Sequence, residues 1–303
     1  MRIAITGREG QVARSLLELG LSSGHEIIAL ARPALDLTAA PTSIIGAVES
    51  VRPEVIVSAA AYTEVDKAER EPEIARAANE TGPLAIARAA RKLSVPMIHL
   101  STDYVFDGSN SISYVEDDAA NPQSVYGATK FAGEKAVLGE HANSVVLRTS
   151  WVYSPFGSNF VKTMLRLARE RDEIGVVGDQ RGTPTSAIDI AEAVLLIASK
   201  LLSSPDDSLR GVFHLAGSGE ASWAEFAREI FAISAALGGP SAAVKAITTA
   251  EYPTVAKRPS NSRLNSHRMA RTYGVRLPDW RESLQHVVRR LVSADENRGV
   301  REL

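Results

Sequence analysis

Tyr126 and Lys130 stand four residues apart in the segment Tyr126-Gly127-Ala128-Thr129-Lys130. On a helix, positions i and i+4 share a face, so this spacing sets a phenol beside an ammonium. A neighbouring cation favours the phenolate and lowers the phenol pKa. A tyrosine tuned in this way can pass a proton to a substrate oxygen near neutral pH. The same spacing also arises by chance as a surface pair, so it means chemistry only inside a suitable architecture.

A second chemical signal opens the chain. Ile3-Ala4-Ile5-Thr6-Gly7-Arg8-Glu9-Gly10-Gln11-Val12-Ala13 reads as strand, tight turn and helix. Gly7 and Gly10 let the backbone turn and approach a pyrophosphate, and Ala13 is small enough for close packing of helix on strand. Gln11 and Val12 open the helix, whose N-terminus aims N–H groups and a positive dipole at phosphates. The spacing is G-x-x-G-x-x-A, a variant of the dinucleotide fingerprint G-x-G-x-x-G. Arg32 follows the second apolar run, where an acid would hold a 2′-hydroxyl and an arginine can meet a 2′-phosphate. It favours NADPH and leaves NADH possible. Asp36 and Leu37 could bracket the adenine.

The elements that must position these groups alternate. Strands are expected at Arg2–Thr6, Glu26–Leu30, Val55–Ser58, Met97–Leu100 and Ser144–Arg148, and helices at Gln11–Leu21, Pro41–Val51, Ile74–Leu93 and Val125–Leu138. Such alternation implies βαβ units and a doubly wound parallel sheet of Rossmann type, an α/β fold. After Trp151 the pattern loosens. A helix is expected at Ile188–Leu202, a strand at Gly211–Leu215 and a helix over Ser222–Leu237 capped by Ser222. Tyr252–Leu264, with Pro253 and Pro259, should be mostly irregular, and a last helix starts near Asp279. The segment Asp295–Leu303 is charged and could be disordered.

Composition narrows the classes. The chain has 303 residues, 45% of them apolar and 23% charged, which is enough for one large or two modest domains with a substantial core. A net charge of −2 argues against a nucleic-acid partner. The absence of cysteine excludes disulfides, thiol nucleophiles and cysteine metal sites. Ile3-Ala4-Ile5 is too short for a signal-peptide core, and no apolar run approaches the roughly 20 residues of a membrane span. A cytoplasmic protein without membrane association is expected.

Further segments then fall into one pattern: Ser58-Ala59-Ala60-Ala61-Tyr62-Thr63, Thr63-Glu64-Val65-Asp66-Lys67-Ala68-Glu69, the block Ser101-Thr102-Asp103-Tyr104 through Gly108, and Arg148-Thr149-Ser150-Trp151-Val152-Tyr153. Asn159-Phe160, Asp179-Gln180-x-Gly182-x-Pro184-Thr185 and Arg258-Pro259-x-Asn261-Ser262-x-Leu264 complete it. Together with Tyr126 and Lys130 they resemble the extended short-chain dehydrogenase/reductase superfamily and, more closely, the dTDP-4-dehydrorhamnose reductase family. The resemblance covers roughly residues 1 to 290.

The resemblance implies NADPH-dependent reduction of the C4 keto group of dTDP-4-dehydro-6-deoxy-L-mannose to dTDP-L-rhamnose. Thr102 and Tyr126 would hydrogen-bond the C4 carbonyl oxygen, where oriented donors stabilise the developing charge. Tyr126 would supply the proton, and Lys130 would lower the tyrosine pKa and bind the nicotinamide ribose. Ala60, Ala61 and Tyr62 would line the cofactor. Thr63, Val65, Tyr104 and Trp151 would contact the sugar, and Arg258 and Asn261 the diphosphate or nucleoside. Asn79 would be structural, bonding exposed backbone beside the site.

Four alternatives belong beside this reading. A 4,6-dehydratase carries Asp then Glu after the threonine, whereas Asp103 is followed by Tyr104, so the eliminating base is missing. A 4-epimerase, or another 4-keto-sugar reductase, needs little beyond Thr102, Tyr126 and Lys130. A non-catalytic regulatory homologue would have lost those residues. Some family members form a dimer bridged by Mg²⁺ through glutamates, and the matching positions here are Ser15 and Ile188, with Arg289 and Arg290 in the last helix. None is a ligand that hard Mg²⁺ prefers, so no metal site is expected, and the chain should be a monomer or a homodimer not bridged by Mg²⁺. The expected organisation is residues 1–151 with 188–216 as the cofactor domain, 152–187 with 217–290 as a smaller substrate domain, and 291–303 as a tail.

Overall fold

Runs such as Val55-Ile56-Val57 and Val145-Val146-Leu147 have no polar side to offer water, so strands built from them must be covered on both faces. The computed structural model, which describes residues 1–299 and the side chains of residues 1–294, shows how. In chain order the first half runs β1 (Arg2–Thr6), α1 (Gln11–Ser23), β2 (Glu26–Leu30), α2 (Pro41–Ser50), β3 (Val55–Ser58), α3 (Val65–Ala68) and α4 (Pro72–Arg76). A π-helical turn, Ala77–Thr81, leads into α5 (Gly82–Leu93), followed by β4 (Met97–Thr102), α6 (Val125–Glu140) and β5 (Ser144–Thr149). The second half contains β6 (Val152–Tyr153), α7 (Phe160–Leu167), β7 (Glu173–Val177), β8 (Arg181–Gly182), β9 (Thr185–Ser186), α8 (Ala187–Ser203) and β10 (Gly211–His214). Then come β11 (Ala221–Ser222), α9 (Trp223–Ala236), β12 (Ala243–Ile247), β13 (Asn261–Ser262), α10 (His267–Tyr273) and α11 (Trp280–Gly299).

The main sheet has the order β10-β5-β4-β3-β1-β2 and every pairing in it is parallel. β3, β4 and β5 are buried at each position, while the edge strand β2 begins on the exposed Glu26. From β1 the chain goes out to β2, then returns across to β3. That reversal leaves a crevice at the C-terminal ends of β1 and β3, where open α/β sheets bind ligands. Alternation along β1 feeds two cores. Ile3 and Ile5 pack with Leu16 of α1 and Ile190, Val194 and Ile197 of α8, while Ala4 packs with Ile44 and Val48 of α2 and Ile86 of α5.

A third core lies outside the sheet. It gathers Tyr153, Val161, Ile174, Phe226, Ile230, Trp280 and Leu284 from β6, α7, β7, α9 and α11. The Tyr153 hydroxyl donates to the Trp280 carbonyl at 2.9 Å, which gives this buried phenol a partner. Ser222 caps α9 in a capping box with Glu225, as its sequence position suggests.

The structure departs from the expected elements in three places. The helix expected at Ile74–Leu93 begins at Pro72 and loosens into the π turn. The parallel pair β7–β12 was not anticipated, because it joins short strands far apart in sequence. The tail expected from residue 291 starts too early, since α11 continues to Gly299 and Val292 is 5% exposed in the third core. The end of the expected disordered segment, residues 300–303, lies outside the described residues. No described helix is long and apolar enough to cross a membrane.

Candidate active site

Gly7 ends β1 at φ +88°, a conformation that a side chain strains. A Cβ added there would come within 3.4 Å of the Ala60 Cβ beyond β3. The two strand ends are tied by Thr6, whose hydroxyl accepts the Ala59 and Ala60 N–H groups at 3.0 Å each. Gly10 is the N-cap of α1, and a Cβ there would meet nothing within 4 Å. The helix N-terminus therefore opens into free space, a cradle that fits a phosphate group. Ala60, Ala61 and Tyr62 line the same crevice half-buried, and Arg32 is exposed at the end of β2.

Some expected cofactor contacts are engaged elsewhere. The Gln11 amide donates to the Val152 carbonyl at 3.2 Å and accepts from Ser154 and Asn159. Val12 is buried in the sheet core, so Gln11 and Val12 offer the crevice backbone rather than side chains. The Asp36 carboxylate accepts the Thr38 N–H and hydroxyl at 2.9 and 2.8 Å. Those bonds, more than the Arg32 charge, hold it below the ordinary carboxylate range. Leu37 is buried beside Leu30 and Leu35. The pair expected to bracket an adenine is thus fixed by a turn and a core.

The expected catalytic residues converge. Ser124 caps α6 by accepting the Gly127 N–H at 3.1 Å, and Glu69 accepts the Val125 N–H at 2.8 Å. These bonds seat α6 so that Tyr126 and Lys130 face β4. Thr102 ends β4 at 5% exposure, accepts the Tyr104 N–H at 3.2 Å and donates to Asp103 Oδ1 at 3.1 Å. The Tyr104 ring lies edge-to-face with Tyr126 at 5.5 Å. Lys130 is 3% exposed and its Nζ donates to the Leu100 carbonyl at 2.6 Å.

One expectation is corrected here. Lys130 was to lower the Tyr126 pKa, yet the phenol is held well above its ordinary value. Burial is the main cause, opposed by the Thr102 hydroxyl and reinforced by the charge of Asp103. Burial also draws Lys130 down to about 8, against the pull of Glu134.

Beyond Tyr62, Thr63 is exposed and Val65 half-buried at the start of α3. Trp151 holds φ +48° and stacks on Trp223 with ring centroids 3.5 Å apart. Arg258 donates to Asp66 and, at 3.1 Å, to the Tyr104 hydroxyl. Asp66 also accepts the Ala256 N–H at 2.9 Å, so one carboxylate ties down the irregular segment. Asn261 departs from its expected nucleoside or diphosphate role. Its amide donates to the Asn110 and Ile112 carbonyls at 2.8 and 2.7 Å and accepts from Arg263, which makes it a loop tie. Asn79, in the π turn, accepts the Tyr62 N–H at 2.8 Å and donates to Tyr62 O and Thr129.

Sequence reasoning gave no role to Asp66, Glu69, Glu134, Arg148 or Trp223. Asp66, Glu69 and Arg148 lay inside motifs quoted above, and Glu134 follows Lys130 at the same i+4 spacing. Nothing in the sequence marked Trp223 as a partner of Trp151. Among the described residues no group of three or more His, Asp or Glu side chains could hold a metal ion. The Ser15 hydroxyl donates to the Gln11 carbonyl, Ile188 packs on the third core, and Arg290 pairs with Glu18 at 2.6 Å.

A doubly wound sheet with a glycine turn at its switch point, and a Thr–Tyr–Lys group two strands along, defines a dinucleotide-dependent oxidoreductase of the short-chain type. Comparison with known proteins narrows the class. Residues 1–293 match the family described as RmlD substrate binding domain. A dTDP-4-dehydrorhamnose reductase of Sinorhizobium fredii is 51% identical over 288 residues, covering 95% of this chain and 97% of that one. A solved dTDP-4-dehydrorhamnose reductase of Clostridium acetobutylicum superposes with a TM-score of 0.88 at 36% identity, covering 95% of this chain and 98% of that one. One from Bacillus anthracis, in complex with NADP, superposes with a TM-score of 0.86 at 36% identity, covering 94% and 98%. The chain belongs to this family, the dTDP-4-dehydrorhamnose reductases.

Proposed function

We propose that the chain reduces the C4 keto group of dTDP-4-dehydro-6-deoxy-L-mannose to give dTDP-L-rhamnose, with NADPH as the reductant. The observation that carries this reading is the convergence of Thr102, Tyr126 and Lys130 at the end of β4, with Tyr104 where a dehydratase needs a glutamate. The Bacillus anthracis relative was solved with NADP, which supports the choice of cofactor. Gly7, Gly10 and the α1 N-terminus would hold the diphosphate, Ala60 to Tyr62 the inner edge, and Arg32 a 2′-phosphate. When bound, NADPH supplies the hydride that C4 receives.

The chain's own residues do the rest. Tyr126, and Thr102 once its hydroxyl turns from Asp103, direct their hydroxyls at the carbonyl oxygen and stabilise its growing negative charge. The Tyr126 phenol, held above its ordinary value by burial, is protonated at neutral pH, so it enters the reaction as a donor and gives its proton to that oxygen. Lys130 provides the cation that offsets the resulting phenolate and an ammonium for the nicotinamide ribose. Thr63, Val65, Tyr104 and Trp151 would orient the sugar, and Arg258 would exchange its contact with Asp66 for the diphosphate. Residues 1–151 with 188–216 would serve as the cofactor-binding unit and 152–187 with 217–290 as the substrate-binding unit.

The test follows nicotinamide absorbance with NADPH and the keto sugar. Tyr126→Phe is expected to lower kcat by roughly 100- to 10,000-fold with NADPH affinity nearly unchanged. A variant that retains most activity would remove Tyr126 from the reaction. No oxidation by the parent protein, with epimerisation of a UDP-hexose instead, would replace the reductase reading by an epimerase one.

A further inference from the structure

The face of α6 that carries Tyr126 and Lys130 carries Glu134 one turn further on. Glu134 is 1% exposed and accepts four hydrogen bonds. Oε1 accepts the Ser101 hydroxyl and Arg148 Nε at 3.0 Å, and Oε2 accepts Arg148 Nη2 at 2.7 Å and Nε at 3.2 Å. Arg148 is equally enclosed, with its guanidinium 5.1 Å over the Phe106 ring and Nη1 reaching the Glu116 carbonyl at 3.4 Å. Ser101 and Arg148 are register partners on β4 and β5.

Stability alone is a weak explanation for such a pair. Removing two ions from water costs several kcal/mol each, and replacing such a pair by packed apolar side chains is often neutral or stabilising. Its location suggests another use. Lys130 bonds to residue 100, Glu134 bonds to residue 101, and residue 102 is the threonine of the site. Two successive helical turns are thus pinned to two successive residues of β4, immediately before Thr102.

We propose that Glu134, held by Arg148 and Ser101, is a positioning residue that fixes Lys130 relative to Thr102 and Tyr126. This rests on the reading of Thr102, Tyr126 and Lys130 given above. His99 on β4 and Glu134 on α6 lie within electrostatic reach of Lys130, and the elements packed about it also carry Asp103, Tyr126 and Arg148. Burial holds His99 neutral, with the Lys130 charge a smaller influence. Burial pushes Asp103 up to about 6 and draws Lys130 down to about 8, and Glu134 is the charge that opposes the fall of Lys130. Removing that charge therefore lowers Lys130 further, toward loss of its proton at neutral pH.

The experiment is the pH profile of kcat/KM for NADPH oxidation, read beside thermal unfolding. Glu134→Gln is expected to move the alkaline limb down by about half a pH unit or more, and Glu134→Asp is expected to restore much of it. The double variant Glu134→Leu with Arg148→Met leaves no unpaired buried ion. It is expected to unfold close to the parental Tm, to lower kcat/KM with an alkaline limb that falls less than in Glu134→Gln because the Arg148 charge leaves with it, and to carry the test if Glu134→Gln does not fold. An unmoved limb with only a lower Tm would overturn the proposal and leave Glu134 a structural residue. Parental activity in Lys130→Met would instead overturn the reading on which the proposal rests.

Discussion

Burial, rather than the neighbouring ammonium, sets the protonation of Tyr126, and the same physics acts one residue from Thr102. Asp103 is 4% exposed; its Oδ1 accepts the Thr102 hydroxyl, while its Oδ2 is buried without a hydrogen-bond partner. Burial pushes this carboxyl up to about 6, against the Ser262 and Thr102 hydroxyls. The ordinary unfolded value is about 3.9, so the folded chain binds this proton more tightly than the unfolded chain does. The associated stability is present below about pH 4 and is lost as pH rises through about 6. Asp103→Asn cannot ionise and escapes that loss. Its unfolding free energy relative to the parent is expected to rise by roughly 2 kcal/mol between about pH 4.5 and 7.5, measured by urea denaturation at each pH. A difference that does not change with pH would mean that Asp103 titrates as an ordinary carboxyl.

At the scale of elements, the site depends on how α6 meets the turn after β4. A Cβ on Gly127 would lie 2.2 Å from the Tyr104 carbonyl oxygen, and neither backbone can yield without moving Tyr126 or Thr102. Gly127→Ala is expected to cost about 1 to 3 kcal/mol of stability and to lower kcat, as read by thermal unfolding and NADPH oxidation. An unchanged Tm would show that α6 can shift freely. What was legible in the sequence follows from the range of the interactions. The strands of the main sheet announced themselves because burial on both faces demands unbroken apolar runs, and Tyr126 with Lys130 because helical spacing is local. The β7–β12 pair was hidden because residues 173–177 meet residues 243–247, and Ala243 and Lys245 are too exposed to leave an apolar pattern. Asn261 was misread because its partners are carbonyls of a loop about 150 positions away in the chain. Spacing placed a cation near Tyr126 but carried no measure of how much water the fold removes from the phenol.

At the scale of the whole molecule, polar contacts join the sheet to the third core along one side. Gln11, in the first turn of α1, reaches Val152, Ser154 and Asn159, and Glu18 of α1 forms a two-pronged ion pair with Arg290 of α11 at 2.6 Å. Both partners of the latter pair are about half exposed, so it contributes at most about 1 kcal/mol. Its importance is chemical. A Mg²⁺ bridge between copies of the chain would need hard oxygen ligands, carboxylates above all, near here. This chain offers instead the Ser15 hydroxyl, already donated to the Gln11 carbonyl, the apolar Ile188, and a guanidinium occupied by Glu18. A divalent cation brought to this face would meet the positive charge of Arg290 and would have to draw Glu18 away from it. Whatever assembly the protein forms should therefore be indifferent to metal. Its elution volume in gel filtration is expected to be the same with excess Mg²⁺ and with a chelator, whereas a shift to a smaller species on chelation would place a metal between two copies of the chain.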